Sequence, residues 1–168
     1  MSDTLVEHVV EIRRCACVVK GGRRFSFSAL VVVGDGRGRC GFGYGKGPEV
    51  PQAVEKAVKQ ATARMIGYSL VSRNGSVTFP HRATSKVGAS RVLLMPASAG
   101  TGVIAGGCVS AVLKSLGVTD ALSKSMGSNN PLTLVRATIE AIACMRLRSE
   151  VAAMRASGNM GEERLSRG

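Results

Sequence analysis

Tryptophan is absent from this chain of 168 residues, and aromatic side chains make up only 4% of it. Histidine occurs twice, as His8 and His81. A serine, threonine or cysteine nucleophile therefore has almost no base to activate it. Carboxylates are sparse and adjacent only at Glu162-Glu163, so no acid–base pair emerges. No apolar run reaches the ~18 residues of a membrane span. The longest candidate, Val103 to Leu113, is broken by Gly106, Gly107 and Ser110 and stops at Lys114. The opening MSDTLVEHVVEIRR lacks the basic start and apolar block of a secretory signal. The expectation is a soluble chain that stays where it is made. Cys15, Cys17, Cys40, Cys108 and Cys144 are an odd number without a C-x-x-C pair. Structural zinc needs four ligands at short paired spacings, which leaves only Cys15-x-Cys17 as suggestive. Reduced thiols and no metal are expected, in a reducing compartment.

What is present in excess is positive charge. Lysines and arginines number 23 against 11 acids, a formal net charge of +12. Between Glu55 and Asp120 there is no acid, yet Lys56, Lys59, Arg64, Arg73, Arg82, Lys86, Arg91 and Lys114 fall there. A second cluster, Lys20, Arg23, Arg24, Arg37, Arg39 and Lys46, is opposed only by Asp35. A merely solvated face usually carries interspersed acids, so this pattern predicts a polyanion partner.

A hydrophobic content of 45% is enough for a packed core. Val10 to Val19 reads as a strand closed by Gly21-Gly22. Phe25, Phe27, Ala29, Val31 and Val33 then share one face at period two. Asp35-Gly36 is a hairpin signal. In the strand that follows, Cys40, Phe42 and Tyr44 alternate with Gly41, Gly43 and Gly45. After Pro48 the period changes: Val50, Ala53, Val54, Ala57, Val58, Ala61 and Met65 form a helical stripe, with Lys56, Lys59 and Gln60 facing away. This β-β-β-α block is expected over residues 5–68, and Gly67 to Gly75 reads as a linker. A second domain, of α/β class, is expected over residues 74–148. It holds strands near Ser76–Phe79 and Ser90–Met95, a Gly-rich stretch, and a helix of Ala105, Cys108, Val109, Val112 and Leu116 ending near Gly117. A strand-like piece from Val118 leads to Asn130 as helix cap and Pro131 as first helical residue. The last helix uses Leu134, Val135, Ile139, Ile142 and Met145. Residues 149–168 are read as an extension whose tail, from Ser157, is polar and mobile.

Two glycine patterns imitate a dinucleotide fingerprint. Gly36-x-Gly38-x-x-Gly41 is followed by a strand, so no helix N-terminus faces a pyrophosphate. Gly100-x-Gly102-x-x-Ala105 precedes a helix, but Pro96 interrupts the join and nothing after Asp120 offers a clear strand end. No Walker sequence exists, and neither a cofactor nor a small-molecule substrate is expected. Lys20-Gly21-Gly22-Arg23-Arg24 is more informative, because flexible backbone and three cations at one turn suit phosphates. Arg37, Arg39 and Lys46 are placed on neighbouring loops. Phe25, Phe42 and Tyr44 are candidates for base stacking, although their alternation favours the core. The glycines opposite Phe42 and Tyr44 are candidates for close approach to an RNA groove.

The stretches KGGRRFSFSALVVVGDGRGRCGFGYGKGPEVPQAVEKA, PASAGTGVIAGG and KSMGSNNPLTLVRAT resemble the small-subunit ribosomal protein S-five family of bacterial type, over about residues 5 to 155. The resemblance implies an α+β protein. Its first domain would be like a double-stranded-RNA-binding domain, and its second α/β with a left-handed βαβ crossover, against the general handedness rule. It implies a structural, non-enzymatic component of the small ribosomal subunit, cytoplasmic or organellar. Such a component binds rRNA at the body–head junction, beside proteins S-four and S-eight and near the mRNA entry, and contributes to accuracy. Lys20, Gly21, Gly22, Arg23, Arg24 and Phe25 should then touch rRNA, with Arg37, Arg39, Tyr44, Lys46, Lys56, Lys59, Arg82 and Lys86. Gly100, Thr101, Gly102, Gly106, Gly107 and Ser110 should face S-four. Two departures stand out. Cys15-Ala16-Cys17 replaces the family's frequent Val-Ser-Lys on the hairpin where variants alter spectinomycin response. Ser110 and Lys114 replace an arginine and an acid on the middle helix. Two rival readings remain: a free RNA-binding chaperone, and a small nucleotide-binding enzyme.

Overall fold

The computed structural model describes residues 5–73 and 75–156. Three antiparallel strands, β1 (Val6–Val19), β2 (Gly22–Gly34) and β3 (Arg39–Gly47), lead into helix α1 (Val50–Ala63). A short β4 (Ile66–Gly67) completes a sheet of order β1-β2-β3-β4. The expected β-β-β-α order is present. Helix α1 starts with Pro51 in its first turn, where a missing N–H costs nothing.

The alternating glycines of β3 explain where the helix sits. A Cβ on Gly41, Gly43 or Gly45 would collide with the carbonyl oxygens of Ala61, Ala57 and Ala53 respectively. Alanine on one side and glycine on the other let helix and strand backbones meet almost directly. That seam corrects the expectation that these glycines admit an RNA groove: their face is already filled by α1. Gln60 also turns inward. Its Oε1 accepts the Tyr44 N–H at 2.7 Å, capping part of the β3 edge.

The second half opens with the hairpin β5 (Val71–Arg73) and β6 (Ser76–Thr78). It continues with β7 (Ala83–Val87), β8 (Ser90–Pro96), β9 (Val103–Ile104), α2 (Gly107–Leu116), β10 (Ala121–Gly127), α3 (Pro131–Ala143) and α4 (Arg148–Ala156). The sheet order is β7-β8-β10-β9, and only β9 runs parallel to its neighbour β10, so β9–α2–β10 is a βαβ unit. Asn130 caps α3 by accepting the Leu132 N–H, ahead of Pro131 at the first helical position. Gly117, at φ +81°, closes α2 in the left-handed conformation.

Strand β2 is buried on both faces. Ala29, Val31 and Val33 pack against the alanines of α1. Leu30 and Val32, with Cys40 of β3, join Val109, Val112, Leu113 and Leu116 of α2 and Val135 and Ile142 of α3. One core therefore runs from the first sheet into the second domain. Backbone bonds from Gly36 and Gly38 to the Ser115 and Leu116 carbonyls, at 3.1 and 3.0 Å, fasten the β2–β3 loop to the end of α2.

Two expectations are revised. The span Gly67 to Gly75 is not a free linker: Tyr68 donates its N–H to the Gly38 carbonyl at 2.8 Å, and Tyr68 and Leu70 pack on the core. Residues 148–156 form a helix that periodicity did not suggest, since none of its side chains is fully buried. The strand-like piece expected from Val118 is present as β10, which begins at Ala121. The tail from Ser157, with Glu162 and Glu163, lies outside the described residues.

Replacing Gly43 by alanine is expected to cost about 1–3 kcal/mol of stability by overpacking the β3–α1 seam. Gly21→Ala, whose added carbon meets nothing, should stay within about 0.5 kcal/mol. Urea unfolding midpoints of the two variants distinguish the cases.

Candidate nucleic-acid interface

The β1–β2 hairpin outruns the rest of its sheet. β3 pairs with β2 only from Phe27 onward, so the arm beyond it has no third strand and no covering helix. Every residue from Ala16 to Phe25 is exposed. The arm from Arg14 to Phe27 contains no acid. Lys20, Arg23 and Arg24 stand at its tip around Gly21 and Gly22, and Gly22 takes φ +133° to close the turn. No ion pair holds these cations among the described residues, where the ion pairs are Arg13–Glu11 and Lys59–Glu55. Charge on a solvated two-stranded arm with no counter-ion of its own is suited to phosphate oxygens.

Phe25 corrects the core reading. It is 45% exposed, and the Arg14 guanidinium lies over its ring at 3.7 Å from the centroid. Arg14 escaped the sequence reading because cross-strand register, with Arg14 opposite Phe27 and diagonal to Phe25, is what brings it there. Tyr44 is likewise exposed, at 47%, rather than core. Its ring lines a small cleft between the first sheet and the start of α3, with Glu11, Arg13 and Asn130. Phe42 does pack on the core, with Arg136 at 5.8 Å from its centroid.

Only some of the expected cations come together. Lys46 lies beside the arm, in a recess shared with Cys17, Arg24 and Ser26. Lys56 donates from Nζ to the Lys46 carbonyl at 3.4 Å. Lys59 is exposed but paired with Glu55 at 2.9 Å, and this pairing lowers the Glu55 carboxyl below its ordinary range. Arg37 and Arg39 are not near the arm. They sit at the other end of β2, twelve strand steps or roughly 40 Å away. There the Asp35 carboxylate accepts their backbone N–H groups at 2.8 and 3.0 Å. A hairpin reverses direction at each turn, so successive loops of a meander fall at opposite ends of the sheet; sequence adjacency misled. Arg82 and Lys86 are exposed in the second domain.

Cys15 and Cys17 sit on the arm, where Cys17 is cross-strand partner of Arg24 and Cys15 Sγ contacts Ser28 Oγ at 3.8 Å. Cys40 is different: burial pushes its thiol up to about 12, with Asp35 adding to the effect. Among the described residues no three His, Cys, Asp or Glu side chains gather as metal ligands would.

The loop Gly100 to Gly107 is organised by Asp120, which stands just ahead of β10. Asp120 is buried. Its Oδ1 accepts the Gly102 N–H at 2.8 Å, and its Oδ2 accepts the hydroxyls of Ser76 and Thr119. The Ser76 hydroxyl first, then the Gly102 amide, hold this carboxyl below its ordinary range. The Gly102 amide that a pyrophosphate would need is thus already used, which removes the dinucleotide reading. A signal was available: Asp120 is the only acid between Glu55 and Glu140. Gly100 and Gly102 adopt φ +87° and +75°. An added Cβ at Gly100, Gly102, Gly106 or Gly107 meets nothing within this chain. Thr101 is exposed and Ser110 half-buried on the first turns of α2.

His81 is occupied too. Its Nε2 accepts the Arg146 N–H at 3.3 Å while Nδ1 faces the Arg82 carbonyl at 2.9 Å. It bridges two loops.

Fold and charge together define a class: a basic two-domain α+β protein that presents cations on an exposed two-stranded arm. Residues 5–67 match the family model "Ribosomal protein S5, N-terminal domain", and residues 85–155 match "Ribosomal protein S5, C-terminal domain". The chain is also similar to the small ribosomal subunit protein uS5 of Rhodopirellula baltica, with 55% identity over 151 residues, covering 90% of this chain and 83% of that relative. The chain belongs to the ribosomal protein S5 family, a structural component of the small ribosomal subunit.

Because the Asp120 carboxyl titrates below its ordinary value of 3.8 in the folded chain, its stabilisation is fully present above that pH. It is lost as pH falls through the lower folded value. Asp120→Asn is expected to lower the urea midpoint at pH 6 and to flatten its acid dependence below about pH 4, a window set by that direction of shift. Parallel unfolding curves for the two proteins across this range check it.

Proposed function

We propose that the chain sits at the body–head junction of the small ribosomal subunit, in the cytoplasm, holding rRNA with the β1–β2 arm. The observation that carries this reading is the acid-free arm itself, exposed on both faces and tipped by Lys20, Arg23 and Arg24. Phosphates neutralise the tip, while Gly21 and Gly22 let the backbone come close. Arg14 and Phe25 offer a stacked, flat surface on the flank of the arm. Lys46 and Lys56 extend the positive surface toward α1; Arg82 and Lys86 serve a separate stretch of RNA, and Arg37 and Arg39 a contact at the far end of the sheet.

The glycines of the 100–107 loop face protein S-four. Open space beside Gly106 and Gly107 supports this, since neither packing nor a positive φ within the chain demands glycine there. A partner backbone against the start of α2 does. Ser110 then makes a shorter contact than the arginine typical of the family. The C-terminal part, including α4, leans on protein S-eight, and the assembly contributes to accuracy near the mRNA entry. Cys15-Ala16-Cys17 replaces a lysine-bearing segment on the arm, so spectinomycin response differs from that of matched ribosomes carrying Val-Ser-Lys.

Sedimentation of a lysate at low and then raised salt tests the core of this reading. The tagged chain is expected in the small-subunit peak after the salt wash; recovery only in light fractions would favour a free RNA-binding protein. The triple variant Lys20→Gln/Arg23→Gln/Arg24→Gln should bind a small-subunit rRNA transcript with a salt slope smaller by roughly 2–3.

A further inference from the structure

The first sheet has one long open edge. In the order β1-β2-β3-β4, β1 is an outer strand of 14 residues that pairs with β2 alone. Its far side therefore presents a row of unpaired backbone donors and acceptors, a template for another strand. Apolar side chains accompany that row: Val9 and Ile12 are 49% and 45% exposed. Their partners on β2, Val31 and Ala29, are buried against α1, but Val9 and Ile12 lie outside that cluster.

Charge is sorted along the same strand. Glu7 and Glu11 lie in its first half, and Arg13 and Arg14 in its second. An antiparallel copy of β1 laid on this edge brings acids against arginines, whereas a parallel in-register copy brings like against like. The irregularity at Val10 fixes the register more closely. It shifts the alternation by one, so that Glu7, Val9, Ile12 and Arg14, opposite Val33, Val31, Ala29 and Phe27, all point to the α1 side. Pairing Val9 with Ile12 of a second copy then sets Glu7 against Arg14 on both sides of the two-fold axis, about 5 Å apart. Arg14, whose guanidinium rests on the Phe25 ring, gains an acidic neighbour. On the other face the same register places Val6 against Cys15 and His8 against Arg13, with no acid facing an acid and no arginine facing an arginine.

The pairing is also closed. Both outer edges of the joined sheet are then β4, which has only 2 residues, so growth stops at two chains. The hairpin from Ala16 to Phe25 stays outside the paired stretch.

From this we infer that the free chain associates with a second copy of itself through the β1 edge, Val6 to Cys15 pairing antiparallel about a two-fold axis between Val10 and Glu11. The inference does not depend on the rRNA-binding reading above, because it uses none of the cations at the arm tip.

Sedimentation equilibrium of the full chain, freed of nucleic acid, tests it across roughly a hundredfold range of concentration. The mass is expected to rise with concentration toward twice the monomer value. Glu7→Arg and Arg14→Glu each set like charges against one another at both ends of the paired stretch and should weaken association about tenfold. The exchange Glu7→Arg/Arg14→Glu restores opposite charges and should return the dimer. Since the exchanged chain carries both substitutions, its recovery separates lost pairing from lost folding. Monomer mass throughout overturns the inference and leaves the edge to a strand of some other protein. A dimer indifferent to the single substitutions, or a single-variant defect that the exchange does not repair, puts the contact elsewhere and overturns it as well.

Discussion

The rest of the structure depends on burying β2 on both faces. Apolar residues in a continuous run, Ala29 to Val33, cannot be satisfied by one layer, because alternate side chains point opposite ways. The first face takes the alanines of α1, and the second takes Leu113 and Leu116 of α2 with their neighbours. From that demand follow the docking of the β2–β3 loop on the end of α2 and the sharing of one core by two domains. The glycine seam of β3 follows too, since α1 can only cover Ala29, Val31 and Val33 by lying across its neighbour strand at backbone distance.

Rigidity and charge are divided by this plan. The described cations stay outside the core, and the arm that carries the densest group has no core at all. Its shape is kept by cross-strand pairing, from Val19–Gly22 back to Val9–Val31 with one irregularity near Val10. A long twisted ribbon of this kind reaches far from the body without a second layer, and its surface is left free for contact on either side. The loop before α2 follows another principle. Ordinary loops are fixed by their own turns, but Gly100 to Gly102 is fixed by a buried carboxylate on a distant strand end.

Local order was readable from the residues wherever one pattern dominated. The β-β-β-α succession, the Gly117 stop, and the Asn130-Pro131 start of α3 all follow from periodicity or capping chemistry, and all are present. Misreadings came where two elements compete for one surface. The bare side of β3 looked open because sequence shows that glycines alternate, but not what backbone will lie on them. Spacing with Phe27 points Phe25 to the core, yet β3 has ended before reaching it and only the two-stranded arm continues. Arg37 and Arg39 were grouped with the tip by count along the chain, whereas strand length separates them. The motif stretches pointed to the family directly, and the comparisons agree.

The double burial of β2 also has a consequence in time. Leu30, Val32 and Cys40 are synthesised some eighty residues ahead of Leu113 and Leu116, the side chains that cover them. At about 5–20 residues per second, translation leaves that apolar face without its cover for roughly 4–16 seconds. The first four strands and α1 can pair in far less time. Every nascent copy therefore passes through a state with a formed sheet, one dry face and one wet one, and the speed with which the second half arrives governs how long it stays adhesive.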